Sequence, residues 1–293
     1  MKTNIRNFMF TLALLVAGVA EAQTTFTSAG DAFAWGANFG WMDFAPQRPN
    51  PGDGVRVTDT HLSGYAWSGN IGWINFGDNL PANLVRFANT NADDFGVNHD
   101  GAGNLSGLAW APNAGWINFG WAATNDANRP RFDIQVGNFL GYAWSGNVGW
   151  INLGAGLLRT ESIAITDKDH DGISDAWEME HAGNLTTLTA TGDADNDGRT
   201  DKEEYLADTN PLVPNGPFLI TRFTKTGPSF YDLEWPSTPT RLYGIEAKQS
   251  VTETNWIVLG DVPGAAGTNT IQPLNLGVPQ VFLRIGAKLP LQP

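Results

Sequence analysis

Four segments of this chain align without gaps: Phe33–Phe44 (FAWGANFGWMDF), Tyr65–Phe76 (YAWSGNIGWINF), Leu108–Phe119 (LAWAPNAGWINF) and Tyr142–Leu153 (YAWSGNVGWINL). Each carries two tryptophans six residues apart, and successive copies start 32, 43 and 34 residues on. Such a pattern describes equal structural units with loop insertions between them. Each copy reads as a β-hairpin: an apolar-Ala-Trp arm, turn residues such as Ser68-Gly69-Asn70, and a Trp-aliphatic-Asn-apolar arm. Residues 23–160 contain no lysine and no glutamate, which fits an all-β unit.

Strand alternation sorts the side chains into faces. Trp67, Trp110 and Trp144 share a face with Tyr65, Leu108 and Tyr142, and are expected in the core. Trp73, Trp116 and Trp150 lie opposite the aliphatics of their arm, on the face of Asn75, Asn118 and Asn152. If exposed, this second series makes repeated aromatic-plus-amide sites suited to sugar rings. Val55–Thr58, Leu84–Phe87 and Arg131–Ile134 are candidate third strands, and Thr160–Ile165 is expected to close the unit against the first copy. The region resembles tryptophan- and glycine-rich repeats of the GYAWSxNIGWINFG kind, found in exported bacterial proteins. The resemblance is sharpest at Gly64–Gly77 and implies no activity.

The strongest chemical signal follows. Asp167-Lys-Asp169-His-Asp171-Gly172-Ile173-Ser-Asp175-Ala-Trp-Glu178 fits D-x-D-x-D-G-x5-E, and Asp193 to Glu204 repeats it. Calcium takes six to eight oxygens. The aspartates at positions 1, 3 and 5 (Asp167, Asp169, Asp171; Asp193, Asp195, Asp197) offer carboxylates. The carbonyls of Ile173 and Arg199 serve at position 7, and Asp175 and Asp201 at position 9, directly or through water. Glu178 and Glu204 close each sphere, so two calcium ions are expected. Residues 166–210 hold 13 acids against 3 bases, so most of the chain's net charge of −13 sits here. That balance excludes phosphate-neutralising nucleic-acid binding.

The flanks predict short helices at Asp175–His181 and Asp201–Ala207, with strand rather than helix before the first loop. Loop plus exiting helix resembles dockerin modules and thrombospondin type 3 repeats; a dockerin would imply a cohesin-like assembly partner. Beyond the loops, Phe218–Thr224, Phe230–Trp235, Arg241–Lys248, Trp256–Leu259, Thr270–Gln272 and Val281–Ile285 read as strands of a β-sandwich. That region resembles a fibronectin-III-like terminal domain.

The expected organisation is therefore mostly β: a leader over 1–22, an all-β repeat domain over 23–165, an EF-hand-like calcium pair over 166–212 and a β-sandwich over 217–293. Met1, Lys2 and Arg6, the apolar run Phe8–Val19 and Ala20-Glu21-Ala22 describe a secretory signal. The expected destination is outside the cytoplasm: extracellular, cell-surface or periplasmic. No other stretch is long enough to span a membrane. There is no cysteine, so stapling falls to packing or metal. No catalytic motif is present, and His61 and His99 read as surface groups. Two function classes remain: a calcium-binding adhesion or structural protein, with carbohydrate or the cell envelope as partner, and an exported carbohydrate-active enzyme using dispersed acids such as Asp43, Asp78 or Asp133.

Overall fold

The structure, a computed structural model, describes residues 24–28, 30–46, 54–77, 80–123, 125–215, 218–277 and 281–292. The expected leader lies outside them. The fold is mostly β. The first part contains β1 (Phe33–Gly36), β2 (Gly40–Asp43), β3 (Arg56–Val57), β4 (His61–Ser63), β5 (Tyr65–Ser68), β6 (Gly72–Asn75), β7 (Val97–His99), β8 (Leu105–Ala111), β9 (Gly115–Asn118), β10 (Arg131–Phe132), β11 (Phe139–Leu140), β12 (Tyr142–Ser145) and β13 (Gly149–Asn152).

The four repeats are the hairpins β1–β2, β5–β6, β8–β9 and β12–β13. They pair side to side in chain order, and β1 pairs with β13. The result is a closed barrel of eight antiparallel strands. Each seam advances the register by two residues: Asp43 faces Trp67, Asn75 faces Trp110, Asn118 faces Trp144 and Asn152 faces Trp35. Four such steps make a shear of about eight, which sets a strand tilt near 36°. Thr160–Ile165 does not close the ring as a strand. Residues 157–164 instead run past the first hairpin, bonding Phe33, Asp31, Thr25 and Val57 in turn.

An eight-stranded barrel has an interior just wide enough for side chains to fill. First arms send in Ala34, Ala66, Ala109 and Ala143; second arms send in Met42, Ile74, Ile117 and Ile151, then Phe44, Phe76, Phe119 and Leu153. Phe26 and Phe139 pack on Phe44 at 5.3 and 6.2 Å between ring centres, sealing that end. Phe39, Ile71 and Ala114, from the turns, close the other.

The turn asparagines have a second duty beyond shaping the turn. Asn38 donates to the Val148 carbonyl, Asn70 to Phe39, Asn113 to Ile71 and Asn147 to Ala114, at 2.7–3.2 Å. Each hairpin is thereby tied to the one before it, all the way round. The glycine that opens each second arm (Gly40, Gly72, Gly115, Gly149) is left-handed, with φ between 71° and 85°. Glycine, lacking a Cβ, takes that conformation without steric cost.

A second layer, β3–β4–β7, extends from the early part of β8. The strand expected at Leu84–Phe87 is absent. Leu84 is left-handed at φ 62°, and the backbone of Phe87 is held at both N–H and C=O by the side-chain amide of Asn98 in β7. The ladder position belongs to Val97–His99 instead. His61 and His99 are buried in this layer, not on the surface.

Two helices follow, α1 (Asp175–His181) and α2 (Asp201–Ala207). The chain ends in β14 (Arg222–Lys225), β15 (Phe230–Pro236), β16 (Leu242–Lys248), β17 (Ile257–Pro263), β18 (Asn269–Asn275) and β19 (Phe282–Lys288). These form two three-stranded sheets, β14-β15-β18 and β17-β16-β19. They share a core of Leu233, Trp235, Tyr243, Ile245 and Leu274, which is the layered arrangement of a sandwich.

Candidate metal centre and tryptophan belt

The two acidic loops have the same backbone. Positions 4 and 6 are left-handed in both: His170 and Gly172 at φ 62° and 85°, Asn196 and Gly198 at 61° and 95°. The two reversals gather Asp167, Asp169 and Asp171 so that one oxygen from each lies within 4.8 Å of the others, and gather Asp193, Asp195 and Asp197 likewise. Backbone N–H groups then hold the carboxylates. Gly172 donates to Asp167 and Gly198 to Asp193, at 2.9 and 3.0 Å. Ile173 donates to Asp171 and Arg199 to Asp197, at 2.8 and 2.9 Å. Asp167 Oδ1, Asp171 Oδ2 and Asp195 Oδ2 remain buried without a hydrogen-bond partner.

Glu178 and Glu204 sit on the first turns of α1 and α2, both 0% exposed. Neither carboxylate oxygen of Glu178 has a hydrogen-bond partner. Burial, and then the charges of Asp169, Asp171, Asp175 and Asp167, push this glutamate up to about 7. Glu204 is raised as well, chiefly by burial. A buried carboxylate facing three others with no donor is unfavourable unless a cation is supplied. The donor set is all oxygen, as a hard divalent ion requires. These residues could therefore hold a metal ion in each loop.

The position-9 aspartates behave differently. Asp201 accepts from Ala194 and Thr189 N–H at 3.0 and 2.9 Å, using both oxygens. Asp175 accepts from Lys168 N–H at 2.9 Å and faces the same lysine's ammonium at 3.6 Å. Both brace the loop entrance against the helix start. Asn215 was not legible as a site residue: its amide donates to Glu204 at 2.7 Å, and its backbone N–H donates to Asp197 at 3.1 Å.

The helix pair lies where the three parts of the chain meet. Trp177 and Tyr205 pack edge to face at 5.3 Å, in a small core with Ile173 and Leu188. Ser174, the N-cap of α1, donates to Asp59 of the barrel side. Arg86 pairs with Glu180 at 3.0 Å. From the terminal sheets, Arg241 donates to the Tyr205 and Leu206 carbonyls at 2.6 and 3.1 Å, capping the end of α2. A cavity of about 400 Å³ remains at this junction, with Asp59, Arg86, Trp177, Glu180, Tyr205 and Arg241 in its lining.

The repeat tryptophans depart from expectation. Trp67, Trp110 and Trp144 are not core; all eight repeat tryptophans lie on the outside of the barrel, 36–48% exposed. The reason is register. Trp67 stands directly opposite Trp73, and directly opposed residues of an antiparallel pair share a face. Alanine takes the inner slot, where eight indoles would not fit. The pairs Trp35–Trp41, Trp67–Trp73, Trp110–Trp116 and Trp144–Trp150 meet at 4.5–4.7 Å between ring centres, steeply inclined. The neighbouring Asn75, Asn118 and Asn152 each accept from a backbone N–H two residues on, at 2.7–2.9 Å, so their oxygens shape the strand exit. Asp43 does the same for Ala45. Asp133 likewise caps its own turn, accepting from Gln135, and Asp78 lies outside the described residues. No helix among the described residues is long and apolar enough to cross a membrane.

Compared with known proteins, the chain matches no family model, no curated protein and no solved structure.

Proposed function

We propose that this chain is an exported calcium-binding protein with a surface-binding or adhesive role, and that it is not an enzyme. The observation that carries the calcium reading is the Glu178 carboxylate: wholly buried, beside the trio of loop aspartates, with both oxygens unpartnered. Asp167, Asp169, Asp171, the Ile173 carbonyl and Glu178 hold one ion. Asp193, Asp195, Asp197, the Arg199 carbonyl and Glu204 hold the other. Calcium, when bound, supplies the positive charge that lets these carboxylates stay ionised and close together. Lys168 and Ala194 N–H groups keep the position-9 aspartates turned onto the backbone. Arg241, Asp59 and Arg86 then link the helix pair to its neighbours. The joint sets a rigid barrel against the terminal sheets, and the barrel carries the outward surface. The leader motif at residues 1–22 supports export.

Titration calorimetry of the full chain with calcium tests the reading. Two ions should bind, and Glu178→Gln and Glu204→Gln should each remove one. No calcium heat, together with a melting temperature unmoved by EDTA, would sink it.

A further inference from the structure

We propose that the outer belt of the barrel is a multivalent recognition surface for neutral polysaccharide, with one station per hairpin; this rests on the surface-binding reading above and names its ligand class. Phe95 packs on Trp116 and Trp121 on Trp150 at 5.1 and 4.8 Å between ring centres, yet every one of the eight belt indoles keeps more than a third of its surface in water. An apolar surface of this size left wet on a folded chain marks an interaction site.

Its surroundings select the ligand. In three of the four seams the residue facing the indole is an asparagine and in the fourth it is Asp43, so the seams carry one carboxylate and no cation. A ligand recognised by net charge finds no ring of counter-charges here. An indole face beside an amide suits a ligand with an apolar face and a polar rim. A sugar ring has both: axial C–H groups on its face and hydroxyls at its edge.

Shape and area decide against the other occupants. The four pairs point outward around a closed ring, so a flat partner reaches two neighbouring pairs at most. At about 100 Å² of exposed ring per indole, two pairs offer roughly 400 Å². A specific protein interface uses about 800 Å² per partner. A second copy of the chain, or a bilayer surface, would therefore be poorly held. A slim chain molecule loses nothing, because it engages one pair at a time. Four similar stations also match a polymer of repeating units, where later contacts form at high effective concentration.

Native electrophoresis of the full chain, through gels containing β-glucan, xylan, galactomannan or glycol chitin, tests this. Alginate serves as the charged control, and phosphatidylcholine vesicles as a flotation control. At least one neutral polymer should retard the chain, while alginate should not and vesicles should not float it. Trp73→Ala, Trp116→Ala and Trp150→Ala should each weaken retardation, and together should cost at least about tenfold in apparent affinity. Should the triple variant unfold, acrylamide quenching of the unmodified chain decides: the retarding polymer must shield indole fluorescence. Retardation that survives loss of the belt, polymer binding without shielding, flotation alone, or no retardation by any neutral polymer overturns the proposal. A calcium titration on the same sample separates the two readings. Intact calcium binding without retardation removes only the glycan inference, whereas absent calcium binding removes the calcium reading.

Discussion

On the calcium reading, Glu178 should contribute with opposite signs in the presence and absence of the ion. Its carboxyl is pushed up to about 7 from 4.5 by burial and by the neighbouring aspartates. The folded metal-free chain therefore binds this proton more tightly than the unfolded chain. Its contribution is fully present below about pH 4.5 and is lost as pH rises through about 7. Glu178→Gln should accordingly raise the melting temperature in EDTA at pH 8 and lower it in calcium, a reversal that calorimetry reads directly. His61 and His99 act the other way. Burial, first among the causes, lowers them to about 3 and about 4 from 6.5. Both stay neutral in the fold, so the unfolded chain binds more protons below pH 6.5 and stability falls as pH drops from there. With calcium saturating, melting at pH 5 should be weaker than at pH 7 by up to about 2 kcal/mol per histidine. A flat profile across that range would show that the ring nitrogens are not the cause. The acids that gather in each loop were legible in the sequence because position alone defines them. Asn215 and Asp59 were not, because they arrive from 11 residues beyond Glu204 and 115 residues before Ser174.

Within a hairpin, adjacent side chains along a strand face opposite ways and have different fates. Ile74 is fully buried, Trp67 is 38% exposed, and Asn70 ties two turns together. Ile74→Ala should cost about 2–5 kcal/mol through the cavity it leaves. Trp67→Ala should cost less, about 1–3 kcal/mol, since a tilted aromatic partner is lost along with the partly buried face of the ring. Asn70→Ala should also cost about 1 kcal/mol through one hydrogen bond. Chemical denaturation of the three variants ranks them. A Trp67→Ala cost as large as that of Ile74→Ala would contradict the outside placement. Hairpins, turns and alternation were all readable from the repeats. Which face is inside was not, because that depends on closure. In an open sheet the larger tryptophans would be the side to bury; in a ring of eight strands only the small-plus-aliphatic face fits.

At the scale of the chain, the two helices and all six terminal strands lay close to where local pattern placed them, since their signals are capping residues and runs a few residues long. The ring closure and the three-way junction were not readable. The ring closure joins residues more than a hundred positions apart and the junction joins residues 36 to 115 apart, and no periodicity reports such contacts. The junction has its own consequence for stability. Each ion held at a hundredfold excess over its dissociation constant adds ~2.7 kcal/mol to the folded state. EDTA should therefore lower the transition that includes residues 166–292 and leave the barrel melting separately. Limited proteolysis should move with it, cutting between residues 166 and 215 only in the chelated chain. One unsplit transition in both conditions would mean that the barrel and the joint unfold together whatever the metal state.

The pairing of β1 with β13 also sets an order in time. A single hairpin can form in roughly 1–10 μs from neighbouring residues alone. The seam between Gly36 and Ile151 has no partner until the fourth hairpin exists. A chain that has made only three repeats is thus a curved ribbon with raw edges at β1 and β9, each bearing unpaired backbone groups and a tryptophan. Such edges invite pairing with other chains. The last repeat is therefore the one whose late arrival or loss turns a self-contained ring into an adhesive fragment.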